Sequence, residues 1–330
     1  MNSDTRLLEL EDLRKWFEIR RGFLSSMVNH VKAVDGVTFS LEEGKAVSLV
    51  GESGSGKTTL GKTILRLYEP NGGRILFQGK DITHTKVKDL KWYRRMASLV
   101  QQDPFGAFAS HFTVFRALEE PLLIHNTVKS REERAERVFK ALEEVRLTPV
   151  EDFAYKYPHM LSGGQLQRVA IARAIILEPR LIVADEPVSM LDASVRIEIL
   201  TLLRRLQERL RLGVIYITHD LATTRFFSES ALIMYAGHVM EKASTQEVLR
   251  NPLHPYTKAL LIATPDPNPQ NRSRFKEVPP GEPPVLVDPP KNCRFSPRCP
   301  RAFDKCFKEE PPEFEAAPGH WVKCWLYERS

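Results

Sequence analysis

Apolar and acidic residues alternate at the start of residues 7–19, LLELEDLRKWFEI, which predicts a half-buried strand ending in the aromatic pair Trp16-Phe17. Residues 20–30 have no period and read as a loop. Alternation returns from Val31 to Leu41, followed by a turn at Glu43-Gly44 and a short all-apolar run, Ala46–Val50. A helix-forming run, LGKTILRLY, comes after GESGSGKTT. Asn71-Gly72-Gly73 predicts a turn into a strand over 74–78, and Met96–Val100 predicts another. From Pro104 the pattern turns helical: Phe105, Phe108, Phe112 and Phe115 cluster, then charge-rich helix formers run from Ser130 to Arg146. These read as a helical insertion, with the phenylalanines either core or a docking surface. A helix is expected over 165–177 with Ser162 as its N-cap, and a doubly buried strand over 181–184. A leucine-rich helix over 193–212 with Gly213 past its end, a buried strand over 214–218, and two strands around Gly237 complete the pattern.

Strands alternating with helices predict an α/β fold with a mostly parallel sheet. Ligands on such sheets bind at the carboxyl ends of strands. Three candidate groups follow strands: Gly51–Thr59, Asp185-Glu186 and His219. Gly51, Gly56, Lys57 and Thr58 match the phosphate-loop spacing of Gly, four residues, Gly-Lys-Ser/Thr. Its backbone N–H groups and the following helix N-terminus would cradle a phosphate chain, so Gly51, Ser53, Gly54, Ser55, Gly56, Lys57, Thr58 and Thr59 are candidate phosphate-chain contacts. Lys57 would reach the β- and γ-phosphates, and the Thr58 hydroxyl would join a Mg²⁺ shell.

Composition adds limits. The chain has 330 residues, 42% hydrophobic and 27% charged, as in an ordinary globular protein, and its net charge of +6 is too weak at this length to imply nucleic-acid binding. No apolar run approaches the ~18 residues of a membrane span, and the opening MNSDTRLLELEDL lacks a signal-peptide pattern. All four cysteines lie between Cys293 and Cys324, after a proline-rich stretch at 265–290 that excludes regular core elements. Clustered cysteines in a cytosolic chain point to a metal site, and four thiolates suit either zinc or an iron–sulfur cluster.

LSGGQ, Leu161–Gln165, together with GESGSGKT, LIVADEP and His219 in that order, resembles the ATP-binding-cassette (ABC) ATPases over roughly residues 7–250. The tail resembles the extension of the oligopeptide/dipeptide permease ATPases, and the whole is more similar to their F-type than their D-type subunit. The resemblance implies a RecA-like P-loop NTPase with a β-rich N-terminal part, a helical subdomain at about 103–165, and a small irregular cysteine-containing extension at 251–330. It also implies roles. Phe17 would stack on adenine, with Trp16 as rival. Asp185 would hold Mg²⁺, Glu186 would polarise the attacking water, Gln102 would touch metal and water, and His219 would contact the γ-phosphate. Ser162, Gly163, Gly164, Gln165 and Asp192 would act on ATP held by a second cassette. Cys293, Cys299, Cys306 and Cys324 would hold a 4Fe-4S cluster, with Zn²⁺ as the alternative.

The implied protein hydrolyses ATP at the cytoplasmic face of the cell membrane to import peptides, oligosaccharides or nickel chelates. Its implied partners are a D-like second ATPase, two transmembrane permease subunits and an extracytoplasmic solute-binding protein. An ABC-superfamily ATPase acting on nucleic acid is the rival; it would need a long heptad insertion before LSGGQ, and none is seen in the ~100 residues there. All ATP chemistry is expected before residue 220, leaving the tail a structural or assembly role.

Overall fold

The computed structural model describes residues 6–20, 28–263 and 287–328. The loop expected at 20–30 lies partly, and the proline-rich stretch at 265–290 mostly, outside the described residues. The strands are β1 (Arg6–Arg20), β2 (Val28–Glu42), β3 (Ala46–Val50), β4 (Gly72–Phe77), β5 (Lys80–Asp81), β6 (Ala97–Val100), β7 (Leu181–Asp185), β8 (Gly213–Thr218), β9 (Ser230–Tyr235), β10 (His238–Ser244), β11 (Phe314–Ala317) and β12 (His320–Val322). The α-helices are α1 (Lys57–Ile64), α2 (Lys91–Met96), α3 (Val114–His125), α4 (Arg131–Glu144), α5 (Val150–Ala154), α6 (Gly163–Ile175), α7 (Ala193–Leu210), α8 (Leu221–Phe227), α9 (Thr245–Arg250), α10 (Pro255–Ala263) and α11 (Asp304–Lys308). They fall into two compact units: residues 1–7, 41–45 and 85–216, and residues 8–40, 46–84 and 217–330.

In the first unit β6 and β7 run parallel, Ala97 opposite Leu181 and Val100 opposite Ala184. Every residue of β7 is buried, as an apolar LIVA run on a doubly covered parallel strand requires. Helices α3 to α6 pack together through fully buried Leu118, Leu122, Val138, Leu142 and Leu166. Burying one such leucine stabilises by roughly 1.5–3 kcal/mol. Helix α4 is largely charged, starts at an N-cap Ser130 and buries only Val138, Ala141 and Leu142. Between α3 and α4, Glu119 accepts from Arg134 at 2.9 Å and Arg116 at 3.1 Å.

One boundary differs from the expectation. Helix α7 ends at Leu210 with Arg211 in the left-handed region, φ 51°, and Gly213 opens β8 rather than capping the helix. A Cβ at Gly213 would lie 2.3 Å from Leu7 Cδ2, so close approach to β1, not the cap, calls for glycine there.

The second unit carries two sheet segments. Strands β2-β1-β4-β5 form one, with Leu8 opposite Phe77 and Leu10 opposite Ile75. In the other, the order is β11-β12-β10-β9-β3, with β3 parallel to β9 and the rest antiparallel. Residues from the cysteine-bearing tail thus extend the sheet, Val322 pairing with Glu241. Beneath it lies a cluster that mixes Val50 and Ile233 with tail residues Phe295 and Trp325.

Candidate nucleotide site and cysteine-bearing tail

Strand β3 is buried throughout and delivers the chain into the phosphate loop of the second unit. Gly56 has φ 105°, and a Cβ there would stand 2.1 Å from the Ala33 carbonyl oxygen, so both backbone and space demand glycine. Helix α1 begins at the next residue, and Leu60 N–H donates to the Gly56 carbonyl at 2.8 Å. Lys57 is 5% exposed. Its ammonium donates to the carbonyls of Gly51 (2.7 Å) and Glu52 (2.8 Å), drawing the loop into a ring around its own Nζ. Ser53, Gly54 and Thr58 are exposed, Gly51 and Ser55 are buried, and Thr59 is half-buried.

Phe17 is half-buried at the end of β1, edge-on to Tyr68 with ring centroids 5.4 Å apart. The Lys15 ammonium lies 5.0 Å from its ring centroid. Trp16, the rival for adenine, is tied down elsewhere: its indole N–H donates to Asp35 at 3.3 Å and Lys32 lies over its ring. His219 is exposed at the end of β8, and the next residue, Asp220, caps α8 by accepting from Ala222 N–H at 2.9 Å.

In the first unit, buried Asp185 ends β7 and half-buried Glu186 follows it. Glu186 has φ 46°, in the left-handed region, where the chain turns out of β7. Its carbonyl accepts from Ser189 Oγ at 3.1 Å, and its carboxylate accepts from the exposed Gln102 amide at 3.2 Å. Gln102 and Glu186, 84 residues apart in sequence, are therefore brought together. Ser162 and Gln165 form a reciprocal capping box at the start of α6: Gln165 N–H to Ser162 Oγ at 3.3 Å, Ser162 N–H to Gln165 Oε1 at 3.0 Å. Gly163 and Gly164 make its first turn, and exposed Asp192 stands at the N-cap of α7.

Glu52, Tyr256 and Arg298 escaped the reading of the sequence. Glu52 N–H donates to Tyr256 Oη at 2.9 Å, and the Glu52 carboxylate takes both arms of Arg298, at 2.8 and 3.2 Å. No local pattern signals these contacts, because their partners lie 204 and 246 residues away. They tie residues beyond position 250 to the phosphate loop, a contact the sequence reading did not include.

The four cysteines are unpaired; Cys293, Cys306 and Cys324 are buried and Cys299 is half-buried. Cys293 and Cys306 belong to one apolar cluster and Cys299 packs against it, and Cys293 N–H donates to the Cys306 carbonyl at 3.0 Å. Burial pushes the Cys293 thiol up to about 12, with repulsion from the other three adding to it, and burial pushes Cys324 up to about 11. Four thiolates here would need a compensating cation. Yet among the described residues no three or more His, Cys, Asp or Glu side chains form a group able to hold a metal ion. The donors have the right type and share one region, but as placed they do not form a closed ligand shell.

Among the described residues, no helix is long and apolar enough to cross a membrane. Residues 34–189 match a family described as ABC transporter, and residues 240–306 match the oligopeptide/dipeptide transporter C-terminal region. The chain is 46% identical over 329 residues to the oligopeptide transport ATP-binding protein AppF of Bacillus subtilis, covering 99% of this chain and 98% of that protein. It is 40% identical to the dipeptide transport ATP-binding protein DppF of Haemophilus influenzae, covering 98% of each. The dimeric post-hydrolysis structure of the ATP-binding cassette MJ0796, bound to ADP and Pi, superposes with a TM-score of 0.64 at 31% identity, over 72% of this chain and 99% of that one. With a phosphate loop, a carboxylate pair after a buried strand and LSGGQ at a capped helix start, the chain belongs to the ABC transporter ATPases, as a cassette carrying the oligopeptide/dipeptide-type C-terminal region.

Proposed function

We propose that this ATPase powers import of short peptides through a membrane complex. The observation that carries the reading is the match of both the cassette and the C-terminal region, continuous with end-to-end similarity to relatives named for oligopeptide and dipeptide transport. Residues 1–250 are the ATP-binding domain, with its helical part near 103–165, and residues 251–330 the family-specific extension.

Phosphate binding belongs to Gly51 and Ser53 to Thr59, with Lys57 exchanging its bonds to the loop carbonyls for phosphate oxygens. Phe17, rather than Trp16, takes the adenine, supported by the hydrogen bond that already occupies Trp16. Thr58, Gln102 and Asp185 are the Mg²⁺ ligands; bound there, the ion would neutralise charge on the transferring phosphoryl group. Glu186 orients and polarises the attacking water, with Gln102 holding its carboxylate, and His219 contacts the γ-phosphate. Ser162, Gly163, Gly164, Gln165 and Asp192 serve ATP held by a second cassette, so ATP joins the two and hydrolysis releases them.

The partners are a D-like ATPase, two permease subunits and an extracytoplasmic solute-binding protein, and the chain works at the cytoplasmic face of the membrane. The four tail cysteines supply the donor type of a 4Fe-4S cluster or, alternatively, Zn²⁺, and would have to close into a shell to hold either. The nucleic-acid rival draws no support: the longest helix between the phosphate loop and LSGGQ has fourteen residues.

The test is peptide uptake. Cells lacking the gene should fail to accumulate labelled di- and oligopeptides and regain uptake with the wild-type chain but not with Lys57→Ala. Undiminished peptide uptake, with loss of a different solute, would overturn the peptide assignment.

A further inference from the structure

The phosphate loop is fastened to the cysteine-bearing tail through one residue, Glu52. Its carboxylate is held by the fork of Arg298, Nη1 at 2.8 Å from one oxygen and Nη2 at 3.2 Å from the other. The Arg298 side chain is 8% exposed and that of Glu52 29%. Tyr235 shares Arg298, its hydroxyl 3.4 Å from Nη1 and the guanidinium over its ring at 5.7 Å. The Glu52 N–H goes to Tyr256, whose ring packs with Tyr235 and Phe295 at centroid distances of 4.6 and 5.4 Å. The Glu52 carbonyl accepts from Lys57. Every polar group of Glu52 is thus engaged, two of them by residues beyond position 250.

A second fastener lies alongside. Arg294 donates to the Ala236 carbonyl and pairs with Asp35. The adjoining Gly237 donates to the Ser55 carbonyl at 2.9 Å and accepts from Asp35 N–H at 2.9 Å. In sequence, Arg294 directly follows Cys293 and Arg298 directly precedes Cys299.

Two physical effects follow. A bidentate guanidinium–carboxylate pair fixes geometry as well as charge, so the loop meets its ligand already ordered and loses less entropy on binding. Glu52 also places a negative charge within the very loop that must accept a polyphosphate, and Arg298 neutralises it.

We propose that Arg298 is a positioning residue for nucleotide binding, and that through it the tail segment 293–299 sets the affinity of the phosphate loop for Mg·ATP. The proposal rests on the reading that this loop binds ATP. The experiment is equilibrium titration of the full-length chain with Mg·ATP, accompanied by thermal melts without nucleotide. Arg298→Ala should raise Kd about tenfold, since it removes one partner of a largely buried charge pair and leaves the other facing phosphate. Adding Glu52→Gln should bring Kd back to within about threefold of wild type, because the stranded charge is gone. A purely structural role would make the double variant bind no better than Arg298→Ala. Either that result, or a Kd for Arg298→Ala within twofold of wild type, overturns the proposal. If Arg298→Ala does not fold, Arg298→Lys is read instead: it keeps the charge but loses the fork, and should raise Kd about threefold, with no change counting against the proposal. Wild-type chain that binds no Mg·ATP would refute the nucleotide reading itself, a different failure from wild-type binding that Arg298 does not affect.

Discussion

Glu186 combines a left-handed backbone, a hydrogen bond from Gln102 and a place directly after buried Asp185. The left-handed backbone alone does not single it out, since exposed Glu178 shares it at φ 53°; the contact with Gln102 and the place after Asp185 do. Replacing it by glutamine keeps shape and removes the base, so Glu186→Gln should still bind ATP while turnover falls by ~10² or more. ATPase rates of the assembled complex, paired with nucleotide titration, check this; near-wild-type turnover would remove Glu186 from the chemistry. Lys57→Ala should instead act on nucleotide affinity, since the lysine ammonium organises the loop carbonyls.

Among the elements, the segment from Phe105 to Phe115 resolves into distinct roles. Phe108 is 8% exposed and belongs to the core, whereas Phe105 is 52% exposed. Phe115 stacks on Tyr155 at 6.2 Å, and Tyr155 itself is 62% exposed. Docking to a permease helix is therefore proposed for Phe105 and Tyr155. Single cysteines at these two positions should crosslink to a membrane subunit in the assembled complex, and neither doing so would move the docking site elsewhere. At the head of α6, Ser162→Ala removes one side of the capping box, a loss of roughly 1 kcal/mol seen as a lower Tm.

Over the whole molecule, acid sensitivity gathers in the second unit. Burial lowers His254 to about 3 from its ordinary 6.5, with the Lys258 charge adding to it, and its ring accepts from Tyr256 N–H at 3.0 Å. Burial also lowers His238 to about 4, against the opposing pull of its hydrogen bond to Asp35. An unfolded chain binds these protons where the folded one refuses them. The stabilisation is therefore full above pH about 6.5 and lost as pH falls toward 4 and 3. Tm should drop between pH 7 and pH 5, and the drop should be smaller in His254→Asn, which keeps an acceptor for the Tyr256 amide without titrating in this range. In the tail, if the four thiols close around a cluster, anaerobically purified chain should carry about four irons with broad visible absorption. Colourless protein with about one zinc would assign the alternative metal, and neither metal would leave the cysteines as an apolar core.

What the sequence determined by itself is local in character. Alternation in LLELEDL, the all-apolar LIVA run and the Ser162–Gln165 cap specify strand, buried strand and helix start through contacts only a few residues long. The glycine-lysine spacing of the phosphate loop and the order of LSGGQ, Asp185-Glu186 and His219 were legible for the same reason, because each is a short motif at the end of one element. Tertiary structure alone decided the rest. Gly213 reads as a helix cap until the packing of Leu7 against it is seen. Trp16 and Phe17 are adjacent in sequence, but Trp16 bonds Asp35 and lies under Lys32 while Phe17 lies against Tyr68. Above all, the tail reads as an appendage because proline-rich sequence precedes it, yet it completes the sheet beside β10 and grips Glu52 through Arg298. A pairing across 246 residues leaves no periodic trace, since charge complementarity between two distant side chains depends on where the folded backbone brings them and not on any spacing along the chain.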